Sequence, residues 1–356
     1  MNKLRISARI FNSLLPVLLA FFIGGMIILF LKENPFRVYG IMMGKSLFSI
    51  RGFLDTLHYA SPLVLTGFAI AVTFKANIFN MGVEGQMLLG GFFAGVIGAF
   101  LPVANPVLHK LLCILTGMSF GVLFAMIPAA LKACFRVDEM VVTLTLNYAM
   151  AKLLEYLASG PFCDKSIGFV GTPIIANSAM FLRLGPSRFT VFAFLALTVF
   201  LILWFVMSRT TLGYEIHALG SNSVFAEAVG IRTRRKILIL MALSGALAGM
   251  AGAGNMLSEQ YRYTLAFSGS PGLGWDGMLI ALLGRHSPVG ILIAAILYAA
   301  LKTGADKINM YTSVPKEIVT VIQGLIILFL AIRFINERFG IWEHIKRRKT
   351  GRMETA

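Results

Sequence analysis

Two short stretches of the chain place a carboxylate among glycines, where unwound backbone and negative charge could together hold a polar solute. They are Gly82–Gly85, with the sequence GVEG, and Gly274–Gly277, with the sequence GWDG. Each continues into an apolar run that contains Met and Leu and ends at a glycine. A small-molecule site needs only a few converging polar groups in an apolar setting. These stretches are therefore the first candidates for a ligand-handling site.

Other polar side chains lie near the first stretch and within a separate apolar run. We expect the following residues to line a solute path: Asn80, Glu84, Gln86, Asn147, Trp275 and Asp276. Trp275 offers a flat face on which a planar ligand could stack. Simpler explanations stay open, because Glu84 and Asp276 could instead offset the positive N-terminal ends of helices. Asn147 could likewise serve only as a hydrogen-bonding residue between helices.

Residue patterns for catalysis, metal binding or a cofactor are absent from the sequence. The five histidines lack metal-site spacing, and there is no GxSxG element. The three cysteines show neither metal spacing nor an even disulfide framework. Gly40–Ser46, with the sequence GIMMGKS, is one residue short of a phosphate-binding loop and follows no predicted strand. We expect no catalytic residue, no metal and no cofactor.

The composition favours lipid as the solvent of this chain. Hydrophobic residues make up 57% of the sequence and charged residues 13%, with a mean hydropathy of +0.80. Soluble domains carry about 25% charged residues. The formal net charge of +16 comes from cations that gather at the ends of apolar runs, which is a topology signal of membrane proteins and not the pattern of a nucleic-acid-binding face.

The apolar runs predict an all-α integral membrane protein with about ten transmembrane helices, since about 20 apolar residues span a bilayer. The candidate spans are 10–31, 58–74, 87–101, 111–132, 139–157, 189–208, 236–257, 275–284, 288–305 and 317–335. The run 275–284 is too short to span alone. The bias of basic residues predicts cytoplasmic N- and C-termini, a basic cytoplasmic tail at 336–356 and an external loop at 158–188. Arg188 in that loop is an exception to the bias.

The whole chain, 1–356, is predicted as a single transmembrane domain that contains two repeats. The segments 58–157 and 236–335 each hold one glycine–acid stretch at an equivalent point. The first helix of one repeat would run inward and that of the other outward, so the repeats would be inverted. Broken helices at matching points of inverted repeats are a sequence pointer to a transport path. Unwound backbone at membrane depth also requires surrounding protein or a water-filled cavity.

A polar segment at 209–235 interrupts the apolar pattern. It is too long and too helix-prone for a simple turn, and a basic cluster at Arg232–Lys236 marks a cytoplasmic membrane boundary. An ordered amphipathic segment on that face is typical of a docking surface. We interpret 209–235 as the place where a motor subunit binds.

Three sequence blocks resemble the permeases of bacterial ABC importers, in the family of branched-chain amino acid, ribose and nucleoside permeases. They are 77–95 (NIFNMGVEGQMLLGGFFAG), 215–252 (EIHALGSNSVFAEAVGIRTRRKILILMALSGALAGMAG) and 274–290 (GWDGMLIALLGRHSPVG). The residues of the first and third blocks are most similar to those of the nucleoside branch, which works with a lipoprotein that binds the solute outside the cell.

The resemblance implies a type II importer fold with broken helices in the bacterial inner membrane. It also implies three protein partners: a separate ABC ATPase, a second permease subunit and the external binding lipoprotein. Tyr214 to Ile231 would form coupling helices in a cleft of the ATPase, with a turn at Gly220 and contacts from Glu227 to Gly230. The residues assigned to coupling by this resemblance are Tyr214, Glu215, Ala218, Gly220, Glu227, Ala228 and Gly230.

The sequence predicts a permease subunit of an ATP-driven importer that passes a small polar solute, best a nucleoside, to the cytoplasm. A pentose or a branched-chain amino acid is an alternative solute. An ion-coupled secondary transporter is an alternative from another class, since inverted repeats and intramembrane acids also suit it. The segment 209–235 speaks against that alternative, because a transporter without a motor subunit does not need a docking surface.

Overall fold

The computed structural model describes residues 18–268, 272–315 and 317–339, and their regular structure is helical. The helices before the polar segment are α1 (Leu18–Phe30), α2 (Pro35–Ser46), α3 (Ile50–Phe74), α4 (Val83–Phe100), α5 (Pro106–Phe135), α6 (Glu139–Ser159) and α7 (Phe192–Arg209). The later helices are α8 (Thr211–Ser221), α9 (Ser223–Ala228), α10 (Thr233–Asn255), a π-helical turn (Met256–Gln260), α11 (Leu265–Ser268), α12 (Leu273–Leu283), α13 (Pro288–Tyr311) and α14 (Glu317–Phe339). The start of the predicted span 10–31 and most of the predicted tail 336–356 lie outside the described residues.

Helices form at the predicted spans wherever the structure describes them, but the number of spanning helices is lower than predicted. Among the described residues, six helices are long and apolar enough to cross a membrane, or seven if the bent pair α1 and α2 forms one span. That pair is bent by 119°. Helix α6 is long enough but too polar to count, and α12 has only 11 residues. A count of about ten is therefore not confirmed.

The chain divides into two compact units. The described part of one unit lies within residues 18–48 and 301–339, and there the Tyr39 hydroxyl donates to the Phe21 carbonyl over 2.7 Å. The other unit is Ser49–Ala300, which contains both glycine–acid stretches and the polar segment 209–235. The candidate site therefore lies within the second unit.

Helix α3 is a largely buried helix of the second unit. Its first turn is capped by Ser49, whose hydroxyl accepts a hydrogen bond from the Gly52 N–H over 3.1 Å. Its 25 residues rise about 37 Å, enough to cross a hydrocarbon core of about 30 Å. Its most apolar stretch is 83% buried inside the protein, which fits a helix that is apolar on all sides. Helices α7, α10 and α12 pack around it.

Close packing of α10 against α4 and α5 depends on glycine. Small residues line one face of α10, where Gly245 lies against Gly121 and Gly249 lies against Gly117. A Cβ atom at Gly249 would overlap the Gly117 carbonyl oxygen. Small residues at such interfaces let helix backbones approach closely in lipid.

The predicted external loop is tied to the N-terminal part of α3 by charged side chains. Arg188 lies 3.4 Å from Glu259 in the π-helical turn, and its backbone N–H donates to Asp55 over 2.8 Å. His58 Nε2 and Glu259 Oε2 are 3.0 Å apart. Arg188, which the charge bias leaves unexplained, thus has a structural role in joining the loop to α3.

Candidate functional site

One face of α6 holds the unwound chain that joins α3 to α4. The Glu139 carboxylate accepts from the Phe79 N–H over 3.0 Å, and the Thr143 hydroxyl accepts from the Met81 N–H over 3.2 Å. Asn147 donates to the Met81 carbonyl over 2.7 Å and accepts from the Gly85 N–H over 2.9 Å. Unwound backbone buried in a membrane protein needs such partners, because no water can satisfy it. Asn147 therefore braces the first stretch from a neighbouring helix.

Two amide side chains of the first stretch hydrogen-bond to each other in the protein interior. Asn80 and Gln86 are both fully buried and exchange two hydrogen bonds of 3.2 Å. Asn80 also donates to the Ser244 hydroxyl of α10 over 2.8 Å, and Ser244 donates to the Ala69 carbonyl of α3 over 2.6 Å. Buried polar groups that satisfy one another rigidify their surroundings. This amide pair fixes the beginning of α4 to both α10 and α3.

Glu84 connects the first glycine–acid stretch directly to the second. Its two carboxylate oxygens accept from the backbone N–H groups of Gly274, over 2.5 Å, and Gly272, over 3.2 Å. The side chain is buried, with 4% exposed. These N–H groups belong to the start of α12, where the helix presents unpaired donors and positive potential. Glu84 thus offsets a helix N-terminus, but the helix is α12 and not the helix that carries Glu84.

The close approach of the two stretches requires glycine at position 274. A Cβ atom there would lie 2.5 Å from the Glu84 nitrogen and 2.6 Å from the Glu84 Cα. Real Cβ atoms do not approach backbone so closely. The glycines of the motif therefore serve contact between the stretches as well as a break in the helix.

Trp275 and Asp276 are the two predicted site residues that are only partly buried. Both stand in the first turn of α12. The Asp276 carboxylate accepts a hydrogen bond from the hydroxyl of Tyr298 on α13. Tyr298 is buried and was not singled out by its sequence context, because a single hydroxyl in an apolar helix gives no pattern. The pair offers an aromatic face and an acceptor next to each other.

The polar segment 209–235 folds as two short helices with a turn at Asn222. Asn222 has an extended backbone and caps α9, accepting from the Phe225 N–H over 3.0 Å. The turn implied for Gly220 is wrong, since Gly220 lies within α8. Asparagine is among the best N-cap residues, which explains the position of the turn. Gly230 follows α9 with a φ of 91°, the left-handed conformation that glycine supplies after a helix end.

Gly220 instead packs closely against the end of α3. A Cβ atom on Gly220 would overlap the carbonyl oxygen of Lys75, the residue that ends α3. An ion pair between Glu215 and Lys236 adds a second connection, from α8 to the start of α10. The polar segment is therefore packed onto the end of α3, directly before the first glycine–acid stretch.

The outward surface of α8 and α9 carries large apolar side chains. Tyr214, Phe225 and Val229 are all more than half exposed, and Phe225 is 62% exposed. Glu227, Ala228 and Gly230 are exposed around them, whereas Glu215, Ala218 and Gly220 are only partly exposed. Aromatic and apolar side chains on a polar segment are typical of a protein-binding surface.

A pH-sensitive residue lies near the same end of α3. His286 follows α12, and its ring lies 5.8 Å from that of Phe74. Burial, together with the charge of Lys75, lowers the pKa of His286 from 6.5 to about 4. The folded protein therefore favours neutral His286, and its contribution to stability is lost as the pH falls from about 6.5 towards 4.

We expect the melting temperature of the purified protein to fall between pH 7.5 and pH 4.5, and to fall less in His286→Asn. Asparagine stays neutral over this range, so it removes the proton uptake by the unfolded state. The lowered pKa of His286 reduces the free energy of unfolding over this pH range by about 3 kcal/mol at most. Thermal unfolding in detergent at both pH values measures the effect. Equal pH dependence in the two proteins would contradict the role of His286.

A family model and several known proteins match this chain. The model for the permease component of branched-chain amino acid transport systems matches residues 52–331. The guanosine ABC transporter permease protein NupP of Bacillus subtilis is 33% identical over 288 residues, which cover 79% of this chain and 82% of that protein. The nucleoside ABC transporter permease protein NupB of Lactococcus lactis is 32% identical over 346 residues, covering 94% and 93%. The glucose ABC transporter permease protein TsgB13 of Haloferax volcanii is 32% identical over 342 residues, covering 93% and 89%.

These matches confirm the resemblance found in the sequence. All three relatives are ABC transporter permeases by name, so the expectation of an importer permease subunit that is not itself an enzyme is confirmed. The alternative of an ion-coupled secondary transporter receives no support from them. The matched region includes both glycine–acid stretches and the segment 209–235, and the apolar helices make this a multi-pass membrane protein. The chain belongs to the family of permease components of branched-chain amino acid transport systems.

Proposed function

We propose that this permease subunit passes a nucleoside from an external binding protein to the cytoplasm. The observation that carries the proposal is the match, over 79% and 94% of this chain, to permeases named for guanosine and for nucleosides. A nucleoside joins a flat base to a ribose with several hydroxyl groups. Trp275 can stack on the base, and Asp276 can accept from a hydroxyl or an N–H group. Both are partly exposed at the start of α12.

A monosaccharide is the second candidate solute. The relative from Haloferax volcanii is named for glucose, and its identity over most of this chain equals that of the nucleoside permease from Lactococcus lactis. A sugar shares hydroxyl groups with a nucleoside but has no aromatic base. The two solutes are therefore distinguished by whether uptake depends on the aromatic face of Trp275.

Within this function the polar residues divide into two groups. Asn80, Gln86 and Asn147 would position the path, since their polar atoms bind the protein itself. Trp275 and Asp276 would meet the solute. This division narrows the broader set of path residues that the sequence suggests.

A separate ATPase would bind the outward surface of α8 and α9. Phe225 and Val229 supply apolar contacts there, and Glu227 and Gly230 lie beside them. The N- and C-termini would share the cytoplasmic side with this surface, in the inner membrane of a bacterium. A second permease subunit, identical or related, and an external binding lipoprotein would complete the importer.

Uptake of labelled guanosine in cells with and without this gene tests the proposed function. We expect uptake to require the gene, to stop when ATP is depleted and to persist when the proton gradient is collapsed. Unlabelled glucose should compete poorly. Uptake that stops only on collapse of the gradient would contradict an ATP-driven importer, and uptake of glucose in place of guanosine would favour the second candidate.

We expect Phe225→Ala to weaken binding of the partner ATPase by about tenfold, because truncating an exposed aromatic contact at an interface costs about 1–3 kcal/mol. Phe205→Ala on α7 is the matched control, since Phe205 is 61% exposed compared with 62% for Phe225. Co-purification of the ATPase with each variant measures the effect. Equal retention of the ATPase by both variants would contradict the docking assignment.

Replacing Glu227 or Gly230 is expected to uncouple ATP hydrolysis from transport while the protein remains in the membrane. An ATPase rate in the assembled complex that still responds normally to loaded binding protein would overturn this expectation. Glu227 lies at the exposed end of α9, and Gly230, also exposed, follows that end.

A further inference from the structure

The contact between α8 and α3 lies at the start of a short, strongly braced segment. The backbone of Gly220 packs on the Lys75 carbonyl, and the same chain reaches Glu84 at the beginning of α4. A movement of α8 therefore acts directly on Lys75 and Ala76, because no space remains between these residues and the Gly220 backbone. Lys75 is therefore one point at which a displacement of the docking segment enters the transmembrane helices, and the Glu215–Lys236 ion pair to α10 is another.

The segment between Lys75 and Glu84 is held in a way that opposes local bending. Glu139, Thr143 and Asn147 bind its backbone along one face of α6. Asn80 binds it from the other side through Ser244. A loop without such partners would absorb a displacement by changing its backbone angles, whereas a braced loop passes the displacement on. The hydrogen bonds therefore stiffen this segment against α6 and α10, and the segment continues directly into α4.

At its far end, the segment holds the beginning of α12. Both oxygens of Glu84 accept from the Gly272 and Gly274 N–H groups, and Gly274 has no space for a side chain beside Glu84. Hydrogen bonds between a charged group and backbone donors belong to the strong class. The first turn of α12 carries Trp275 and Asp276. The position of these two residues thus depends on the Glu84 carboxylate.

We propose that Lys75–Glu84 transmits movement of the docking helix α8 to α12, with Glu84 as the positioning residue that makes the final connection. The inference rests on the proposed function, because it assumes an ATPase on α8 and a solute at Trp275 and Asp276. It adds a connection between the docking helix α8 and the start of α12. It also assigns to Glu84 a role in coupling instead of solute binding. The alternative route runs along α10 and the π-helical turn.

The test uses the complete importer in proteoliposomes, with its ATPase and binding protein, and measures labelled guanosine transported per ATP hydrolysed. We expect Glu84→Gln to lower this ratio about tenfold, because the amide loses the charge and has one acceptor oxygen where the carboxylate has two. ATP hydrolysis and co-purification of the ATPase should stay within about twofold of the original protein. Glu155→Gln is the matched control, since Glu155 pairs with Lys152 on the surface of α6. A normal ratio in Glu84→Gln would overturn the proposal.

Two further variants distinguish loss of transmission through Lys75–Glu84 from general damage to the folded protein. Glu84→Asp keeps the charge but is too short to reach both N–H groups, so it should lower the ratio even if Glu84→Gln fails to accumulate. Gly220→Ala disturbs the other end of the route. If both positions act in series, the double variant Gly220→Ala with Glu84→Gln loses no more than the worse single variant. Losses that multiply would contradict a shared route, as would a normal ratio in Glu84→Asp.

The same experiment distinguishes failure of the inference from failure of the proposed function. If the original complex hydrolyses ATP but moves no guanosine, the proposed solute is wrong. Labelled glucose then serves as the probe, and the ratios for the Glu84 and Gly220 variants still decide whether the route exists.

Discussion

Gly220→Val is expected to lower guanosine uptake strongly in a protein that still inserts into the membrane. The valine side chain would overlap the Lys75 carbonyl, so α8 would have to leave the end of α3. Overpacking of this kind costs about 1–3 kcal/mol, and displacement of the docking surface should lower uptake by at least about tenfold. Uptake per amount of membrane-inserted protein measures the effect.

Gly44→Val in α2 is the matched control for this prediction. Gly44 also lies in a helix, but a Cβ atom there has no neighbour within 4 Å. Both variants introduce the same β-branched residue into a helix, so they share the intrinsic cost of that change. Wild-type uptake in Gly220→Val, or equal losses in the two variants, would show that contact between α8 and α3 is not needed.

Asp276→Ala is expected to reduce uptake by about tenfold or more while the ATPase still co-purifies with the chain. The substitution removes a hydrogen-bond acceptor for the solute at the start of α12, far along the chain from the docking helices. A charge-assisted hydrogen bond of this kind contributes about 1.5–3 kcal/mol. Guanosine uptake and co-purification are measured on the same membranes.

Tyr298→Phe separates a solute contact from a structural role of Asp276. This change removes the hydroxyl that donates to Asp276 but leaves the carboxylate in place. We expect a smaller loss of uptake than in Asp276→Ala. Loss of ATPase binding in Asp276→Ala, or equal effects of the two changes, would mean that Asp276 serves the fold.

The glycine–acid pattern predicted two related stretches, which the structure brings into contact, but it did not predict how they connect. Sequence alone places Glu84 and Asp276 at matching points of two repeats, and it leaves open whether each serves a helix end or a solute. The structure shows Glu84 at the end of a helix from the other stretch. A contact between residues so distant in the chain depends on how α3, α4 and α12 pack, and no local pattern encodes that packing.

The role of Asn147 as a partner of unwound backbone could have been inferred from its spacing to other polar residues of α6. Glu139, Thr143 and Asn147 are each four residues apart, so they share one face of a helix. Three polar residues on one face of an apolar helix indicate polar backbone opposite them. The turn at Asn222 was also available, since asparagine before Ser223 is a common N-cap. Gly220 was misassigned because a glycine in a helix can serve close packing as well as a turn.

The number of spans was predicted less well than their positions. Helix α6 forms where predicted, but its polar face, which holds the first stretch, lowers its hydropathy below that of the other spans. The polar residues with which α6 binds the first stretch therefore also exclude α6 from a count of helices that are long and apolar enough to span a membrane.

The placement of the nucleoside path at the start of α12 is tested most directly by uptake of guanosine and glucose in variants of Trp275. Stacking of a base on an aromatic side chain contributes about 1–3 kcal/mol, whereas a sugar gains less from a flat face. We predict that Trp275→Ala lowers guanosine uptake about tenfold, that Trp275→Phe retains most of it, and that co-purification of the ATPase is unchanged in both. Guanosine uptake by Trp275→Ala at the wild-type rate would contradict the placement of the nucleoside path at the start of α12.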